Sequence, residues 1–242
     1  MPKDPRMLTH QQATTFYNYL GAKQDWQAFY EAPATRDLIA HAFFETAQAV
    51  FEFGCGTGAF AEQVLAHHLP PQARYLAVDS STTMVHLAQS RLERFGARVV
   101  VRQTDGSLLF AEGSGSFDRF VSNYVLDLLS VPDMMQLLAE AHRLLVAGGR
   151  LCLVSLTRGS TPLARLVIWS WTRLHALDPR LVGGCRPLEL RNCLPGTGFH
   201  LDYTQVVTRF GVPSEVVVAA KQSGKDEDLL RGEEERNRSC AC

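Results

Sequence analysis

Phe51-Glu52-Phe53-Gly54-Cys55-Gly56-Thr57-Gly58 is the stretch that decides the fold. A short apolar run enters it, and Ala59-Phe60-Ala61-Glu62-Gln63-Val64-Leu65 leaves it with helical character. Three alternating glycines between a strand and a helix predict a sharp turn beneath a bound group. Glycine is needed where φ is positive or where a ligand comes too close for a Cβ. The helix that follows points its unpaired N–H groups at the same spot. A nucleotide-like or anionic ligand is therefore expected over Gly54, Gly56 and Gly58. Gly54, Gly56 and Ala59 equally fit the dinucleotide pattern G-x-G-x-x-A, which by itself does not separate one ligand from another.

Working outward, residues 8 to 48 read as helical, with Pro33 as a break. Ala49 to Phe53 is the first strand, and a helix over 61–68 closes at Pro70-Pro71. Further strands are expected at 74–78, 97–102, 117–122 and 150–156. Val85, Ala88, Leu92 and Phe95 form the apolar face of a helix between the first two of these. Pro132 opens another helix, and Gly148-Gly149 are expected to end it. The strands are continuous apolar runs alternating with helices, which predicts a parallel sheet covered on both faces. Residues 200–208 and 214–220 form two strands joined by a connection short enough to make them antiparallel. Charges occupy 11 of the 22 residues from Lys221 to Cys242, so this tail is expected to be disordered.

The chain has 242 residues, 46% hydrophobic and 20% charged, the balance of an ordinary globular domain. A net charge of −1 gives no electrostatic case for nucleic acid. There is no apolar run of about 18 residues, so no transmembrane segment is expected, and the N-terminus lacks the apolar core of a secretory signal. The six cysteines form no C-x-x-C pair and no disulfide framework. A reduced, cytoplasmic setting follows. No spacing of histidines, cysteines and acids points to a metal.

In a doubly wound sheet the ligand lies across the carboxyl ends of the strands. The second strand ends at Asp79, 21 residues after Gly58, where an acid can accept from both hydroxyls of a ribose. Ser80 and Ser81 are left to cap the next helix. The third strand is followed by Thr104-Asp105-Gly106. Asp105 either takes an adenine amine or closes an Asx-type turn. The fourth strand ends in Ser122-Asn123-Tyr124, so Asn123 and Tyr124 are expected to line the site. Asp127 is expected to cap a helix or lie on a solvated face.

Together, FEFGCGTG, VDSS, TDGS, FDRFVSNYVLDLL and EAHRLLVAGGRL resemble the ordered motifs of class I S-adenosylmethionine-dependent methyltransferases. The resemblance is to the small-molecule branch that includes quinone-biosynthesis enzymes, and it covers residues 45 to 157 best. It implies a Rossmann-like, doubly wound α/β sheet of seven strands in the order 3-2-1-4-5-7-6, with strand 7 antiparallel. It implies an N-terminal helical lid (1–48), a methyltransferase domain (49–220) with an acceptor-cap insertion near 159–198, and the polar tail (221–242). The implied cofactor is S-adenosylmethionine. Glu52 matches the acid that orients the methionine amino group, and Gly54, Cys55, Gly56 and Gly58 match the turn beneath it. Asp79 with Ser80 matches the ribose site. Met84, Thr104, Asp105 and Gly106 match the adenine site, although Met84 also suits a helix core. Asn123, with Tyr124 beside it, matches the position facing the amino-acid moiety. Glu52 stands where aspartate is more frequent, and the Gly106-Ser107 pair departs from the branch's usual residues.

A methyl acceptor needs flanking elements, because the motifs leave no spare pocket. Tyr17 and Tyr19 come from the N-terminal helix. Trp169 and Trp171 belong to an apolar segment, 161–177, that reads as a helix burying a broad face. It is a cap over an apolar or aromatic small molecule, a dimer contact or a membrane-surface helix. His175 is the candidate base and Arg186 the candidate anion contact, though a surface histidine and a structural turn are the ordinary readings. No residue is singled out as catalytic. The expected protein is a monomer or homodimer acting on a small molecule. The alternatives are a nicotinamide-dependent oxidoreductase and a non-catalytic S-adenosylmethionine-binding protein.

Overall fold

A computed structural model describes residues 9–222. Most of the expected polar tail, with Cys240 and Cys242, lies outside the described residues. Two helices, α1 (His10–Leu20) and α2 (Ala28–His41), precede the sheet, joined by a 3₁₀ segment. The chain then runs β1 (Ala49–Phe53), α3 (Ala59–His67), β2 (Arg74–Asp79), α4 (Thr82–Leu92), β3 (Val99–Gln103), β4 (Phe117–Asn123) and α5 (Val131–Leu144). It ends with β5 (Leu145–Leu156), α6 (Pro162–Leu177), β6 (Phe199–Arg209) and β7 (Val212–Lys221). The seven strands lie in the order β3-β2-β1-β4-β5-β7-β6. The first five are parallel, and β7 runs antiparallel to both β5 and β6. This is the order expected from the sequence.

The central strands carry apolar side chains on both faces, so each face builds its own core. One joins Leu38, Phe44, Val64, Tyr75 and Val216 beneath α2 and α3. The other joins Phe51, Phe120, Leu137, Leu144 and Leu151 beneath α5. Phe51 and Phe120 stack at 5.2 Å between ring centroids across the β1–β4 pair. Burying each such side chain contributes about 1.5–3 kcal/mol, and together they hold the strand ends rigidly around the cleft above them.

Three local expectations are corrected. Pro33 does not break the N-terminal helix; it lies inside α2. That helix is held by Ala34, Leu38 and Ile39 in the core, and this packing outweighs one missing backbone bond. Gly148-Gly149 do not end α5, which stops at Leu144; both glycines lie within β5. Pairing of Leu145 with Phe117 starts the strand early, and the register shifts before Arg119. The helix α6 does not bury a broad face. Only Ala164 and Ile168 are buried, while Leu163, Leu166 and Trp169 are exposed.

Candidate functional site

The cleft opens at the carboxyl ends of β1 to β4, where a doubly wound sheet holds its ligand. Its walls include Phe53, Gly54, Gly56, Asp79, Asn123 and Tyr124, with Ala13, Tyr17 and Gln24 from the N-terminal segment. Gly54 has φ 76°, and a Cβ there would stand 2.4 Å from Cγ2 of Val125. Gly56 has φ 51°, and the nearest atom to its would-be Cβ is Gln24 Nε2 at 3.7 Å. Its backbone therefore faces open space within the cleft.

Two members of the glycine turn do other work. Gly58 is absent from the cleft lining. Its would-be Cβ meets Cα and Cβ of Ala88 at 3.1 Å, so it lets the start of α3 lie against α4. Cys55 is buried and its thiol is directed at Gly56 O. Burial pushes that thiol well above the ordinary range.

Asp79 ends β2 in the cleft. Its Oδ2 accepts from Gly56 N (2.9 Å) and its Oδ1 from Ser81 N (2.8 Å). Each oxygen keeps a further lone pair for a ligand hydroxyl. Burial raises the carboxyl, while the backbone N–H groups of Ser81, Gly56 and Ser80 pull it back. Ser80, Met84, Thr104 and Gly106 line the same end; Met84 is also a core residue at 1% exposure. Asp105 is exposed and outside the lining. Its Oδ1 accepts from Ser107 N at 2.8 Å, the Asx-type turn that was the second reading.

Glu52 also sits apart from the cleft lining. It is buried in the sheet at 2% exposure and accepts from the Tyr75 hydroxyl at 2.9 Å. Burial raises its carboxyl to about 8 despite that bond. Asn123 is the reverse case: it lines the cleft, and neither its amide oxygen nor its amide nitrogen has a hydrogen-bond partner. A buried orphaned amide costs about 1–3 kcal/mol, a penalty that a ligand would relieve. Tyr124 has φ 54°, an uncommon conformation for a tyrosine, and its hydroxyl donates to Ser214 at 2.8 Å.

The N-terminal segment is fastened to the cofactor motifs by polar contacts. Thr14 and Ser80 hydroxyls meet at 3.0 Å, and Asn18 Oδ1 accepts from the Ser81 hydroxyl at 2.6 Å. Asp25 accepts from the Thr57 hydroxyl and from Arg91 Nη2, each at 2.6 Å.

A packed aromatic cluster lies beside Tyr124. The ring of Tyr30 meets Tyr124 edge-on at 6.0 Å. The Trp171 indole donates to Cys185 O at 2.9 Å. Asp127 is fully buried, contrary to the solvated face expected of it. Its Oδ2 accepts from Leu156 N at 3.3 Å and its Oδ1 has no partner. Burial raises Asp127 to about 7 and, on α2, Glu31 also to about 7. Their negative charges reach Tyr17, whose phenol is pushed well above its ordinary range, chiefly by burial. Glu31 and Tyr30 escaped the sequence reading, and Asp127 was read as a cap or a solvated residue. The apolar flanks Leu126 and Leu128 were the one signal for Asp127.

Other acceptor candidates divide. Tyr17 lines the cleft, whereas Tyr19 is exposed on the far side of α1. Trp169 points to solvent and Trp171 points inward. His175 is half-buried and outside the cleft lining. Arg186 donates to Leu129 O at 2.9 Å and faces Asp127, which makes it a loop brace.

Residues 50–149 match the family model of a methyltransferase domain. The chain carries a class I S-adenosylmethionine-dependent methyltransferase domain. The sheet order and the reversed last strand are those that the resemblance implies. A malonyl-(acyl-carrier protein) O-methyltransferase of Paenibacillus sp. (strain JDR-2) is 35% identical over 108 residues, 44% of this chain and 38% of that protein. The chain spans about two fifths to half of the length of the first curated relatives that it matches. Two solved structures share the fold. The cyclase SpnF has a TM-score of 0.68 at 16% identity, covering 90% of this chain and 98% of its own. The N-methyltransferase NodS from Bradyrhizobium japonicum, in complex with S-adenosylhomocysteine, has a TM-score of 0.65 at 17% identity, covering 87% and 99%. Among the described residues no group of three or more histidines, cysteines or acids is placed to hold a metal, and no helix is long and apolar enough to cross a membrane.

Proposed function

We propose that this protein transfers the methyl group of S-adenosylmethionine to a small organic acceptor with an apolar or aromatic body. The observation that carries the reading is the convergence of Gly56, Asp79 and the unpartnered Asn123 amide on one cleft. These groups fit the cofactor. Asp79 offers lone pairs to a ribose, Gly56 leaves room over the turn, and Asn123 offers one donor and one acceptor to an amino acid. Met84, Thr104 and Gly106 suit a flat heterocycle. When bound, the cofactor supplies an activated sulfonium methyl group.

The chain's own work is positioning and water exclusion. Tyr17, Gln24 and Ala13 close the cleft from above. Tyr30, Tyr124 and Trp171 pack in an apolar, aromatic cluster beside it, a wall against which an aromatic or apolar acceptor would lie. An acceptor hydroxyl or amine must lose a proton, and Asp127 Oδ1 is the buried, unpartnered atom suited to hold it. On this reading residues 9–48 act as a lid and 159–198 as the acceptor cap of a cytoplasmic monomer or homodimer.

Transfer of a tritiated methyl group to a panel of phenols, aromatic amines and prenylated quinols tests the reading. Label is expected in at least one apolar aromatic acceptor. Label found solely in nucleic acid or in polar acceptors would overturn the acceptor class.

A further inference from the structure

The outer surface of α6 is unlike the rest of the molecule. Leu166, Trp169 and Leu177 are 60%, 58% and 80% exposed. The leucines at 163, 166, 174 and 177 fall in one strip along the helix. The β6–β7 turn continues that strip. A Cβ on Gly211 would stand 3.1 Å from Leu163 Cγ. Next to it Phe210, 64% exposed, lies 5.7 Å from the ring of exposed Phe29. Single exposed leucines are normal, but a contiguous apolar strip marks an interaction surface.

The charge around the strip identifies the partner. Between Thr157 and Leu177 the sequence holds three arginines, Arg158, Arg165 and Arg173, and no carboxylate, in a chain whose net charge is −1. Arg173 lies over the Trp169 ring at 5.4 Å and Arg209 over Phe210 at 4.5 Å. Arginines are thus set among the exposed aromatics. Two copies meeting through this face about a two-fold axis would bring arginines against arginines. An anionic lipid surface satisfies both features: leucine and aromatic side chains enter the acyl boundary while arginine stems reach to the phosphates.

We propose that α6 and the Phe210–Gly211 turn dock this protein on an anionic lipid bilayer. Leu166, Trp169 and Phe210 enter the interface, and Arg165, Arg173 and Arg209 meet the headgroups. The inner face of the same helix carries Ile168 and Trp171 against Tyr30 and Tyr124. An apolar acceptor dissolved in the bilayer would then approach the cleft from this side without crossing bulk water. That route rests on the proposed acceptor class, whereas docking itself does not.

The test is co-sedimentation of the full chain, without cofactor, with vesicles of phosphatidylcholine alone or of equimolar phosphatidylcholine and phosphatidylglycerol. Binding to the anionic vesicles is expected, with blue-shifted tryptophan emission and weakening in high salt. Leu166→Asp and Phe210→Ser are each expected to reduce binding about tenfold. Arg165→Gln with Arg173→Gln is expected to cost about fivefold per arginine. Thermal unfolding by circular dichroism establishes that each variant is folded. Folded protein that ignores anionic vesicles would overturn the proposal, as would unchanged binding by Leu166→Asp and Phe210→Ser. So would a dimer dispersed by Leu166→Asp, or capture of an acidic protein, with no vesicle binding. Methyl transfer is not read in this experiment, so either proposal can fail while the other stands.

Discussion

Replacing Gly54 by alanine tests the tight junction between the glycine turn and the segment after β4. Two costs are expected. Gly54 has φ 76°, and forcing an L-residue into the left-handed region costs about 1–2 kcal/mol. The new Cβ would stand 2.4 Å from Val125 Cγ2, well inside van der Waals contact, and such overpacking costs about 1–3 kcal/mol. The single variant should therefore lose about 2–5 kcal/mol, the sum of the two. Val125→Ala removes the colliding methyl and leaves Val125 Cβ at 3.5 Å, an ordinary contact. The double variant should keep the backbone cost and shed the clash. Urea unfolding of the wild type, both single variants and the double variant gives the coupling between the sites. A favourable coupling of about 1–3 kcal/mol is expected. Gly54→Ala as stable as the wild type, or strictly additive variants, would refute the reasoning.

Three further outcomes follow from the same site. Asp79→Ala should weaken S-adenosylhomocysteine binding by about 1.5–3 kcal/mol in calorimetry, the scale of hydrogen bonds to a charged acceptor; Asp105→Ala, exposed and turn-bonded, should leave it nearly unchanged, and equal losses would contradict this. Glu52 takes up a proton more readily folded than unfolded, because its carboxyl is raised from 4.5 to about 8. Its contribution to stability is therefore greatest at acid pH and is lost as pH rises through that window; Glu52→Gln should flatten the slope in urea titrations, and an unchanged slope would place the proton elsewhere. Asp25→Ala removes the link from the lid segment to Thr57 and Arg91, so S-adenosylhomocysteine release in stopped-flow should speed up about fivefold, whereas an unchanged rate would free the lid from cofactor exchange.

The parallel half of the fold was legible because its signals are local. Apolar runs of strand length, helical faces and the FEFGCGTG turn each state their own conformation. Asp79 was legible for the same reason, as the acid that ends an apolar strand. Asp105 had the same local signature and went the other way, because Gly106 (φ 87°) and the Ser107 N–H complete a turn that holds its carboxylate outside the cleft. Asp127 was misread because its burial depends on Leu156 and on Arg186, 29 and 59 residues away in sequence. The facing of α6 was not legible at all. Its apolar residues occur nearly all round, and only the placement of Ala164 and Ile168 shows which side meets the sheet. The two tryptophans, read alike from the sequence, consequently part company, with Trp171 inside and Trp169 outside.

Isothermal titration of the full chain with S-adenosylhomocysteine, and in parallel with NADH, tests the central claim most directly. Saturable binding of S-adenosylhomocysteine, lost in Asp79→Ala, with no heat from NADH, is the predicted result. NADH binding to folded protein that ignores S-adenosylhomocysteine would contradict the account.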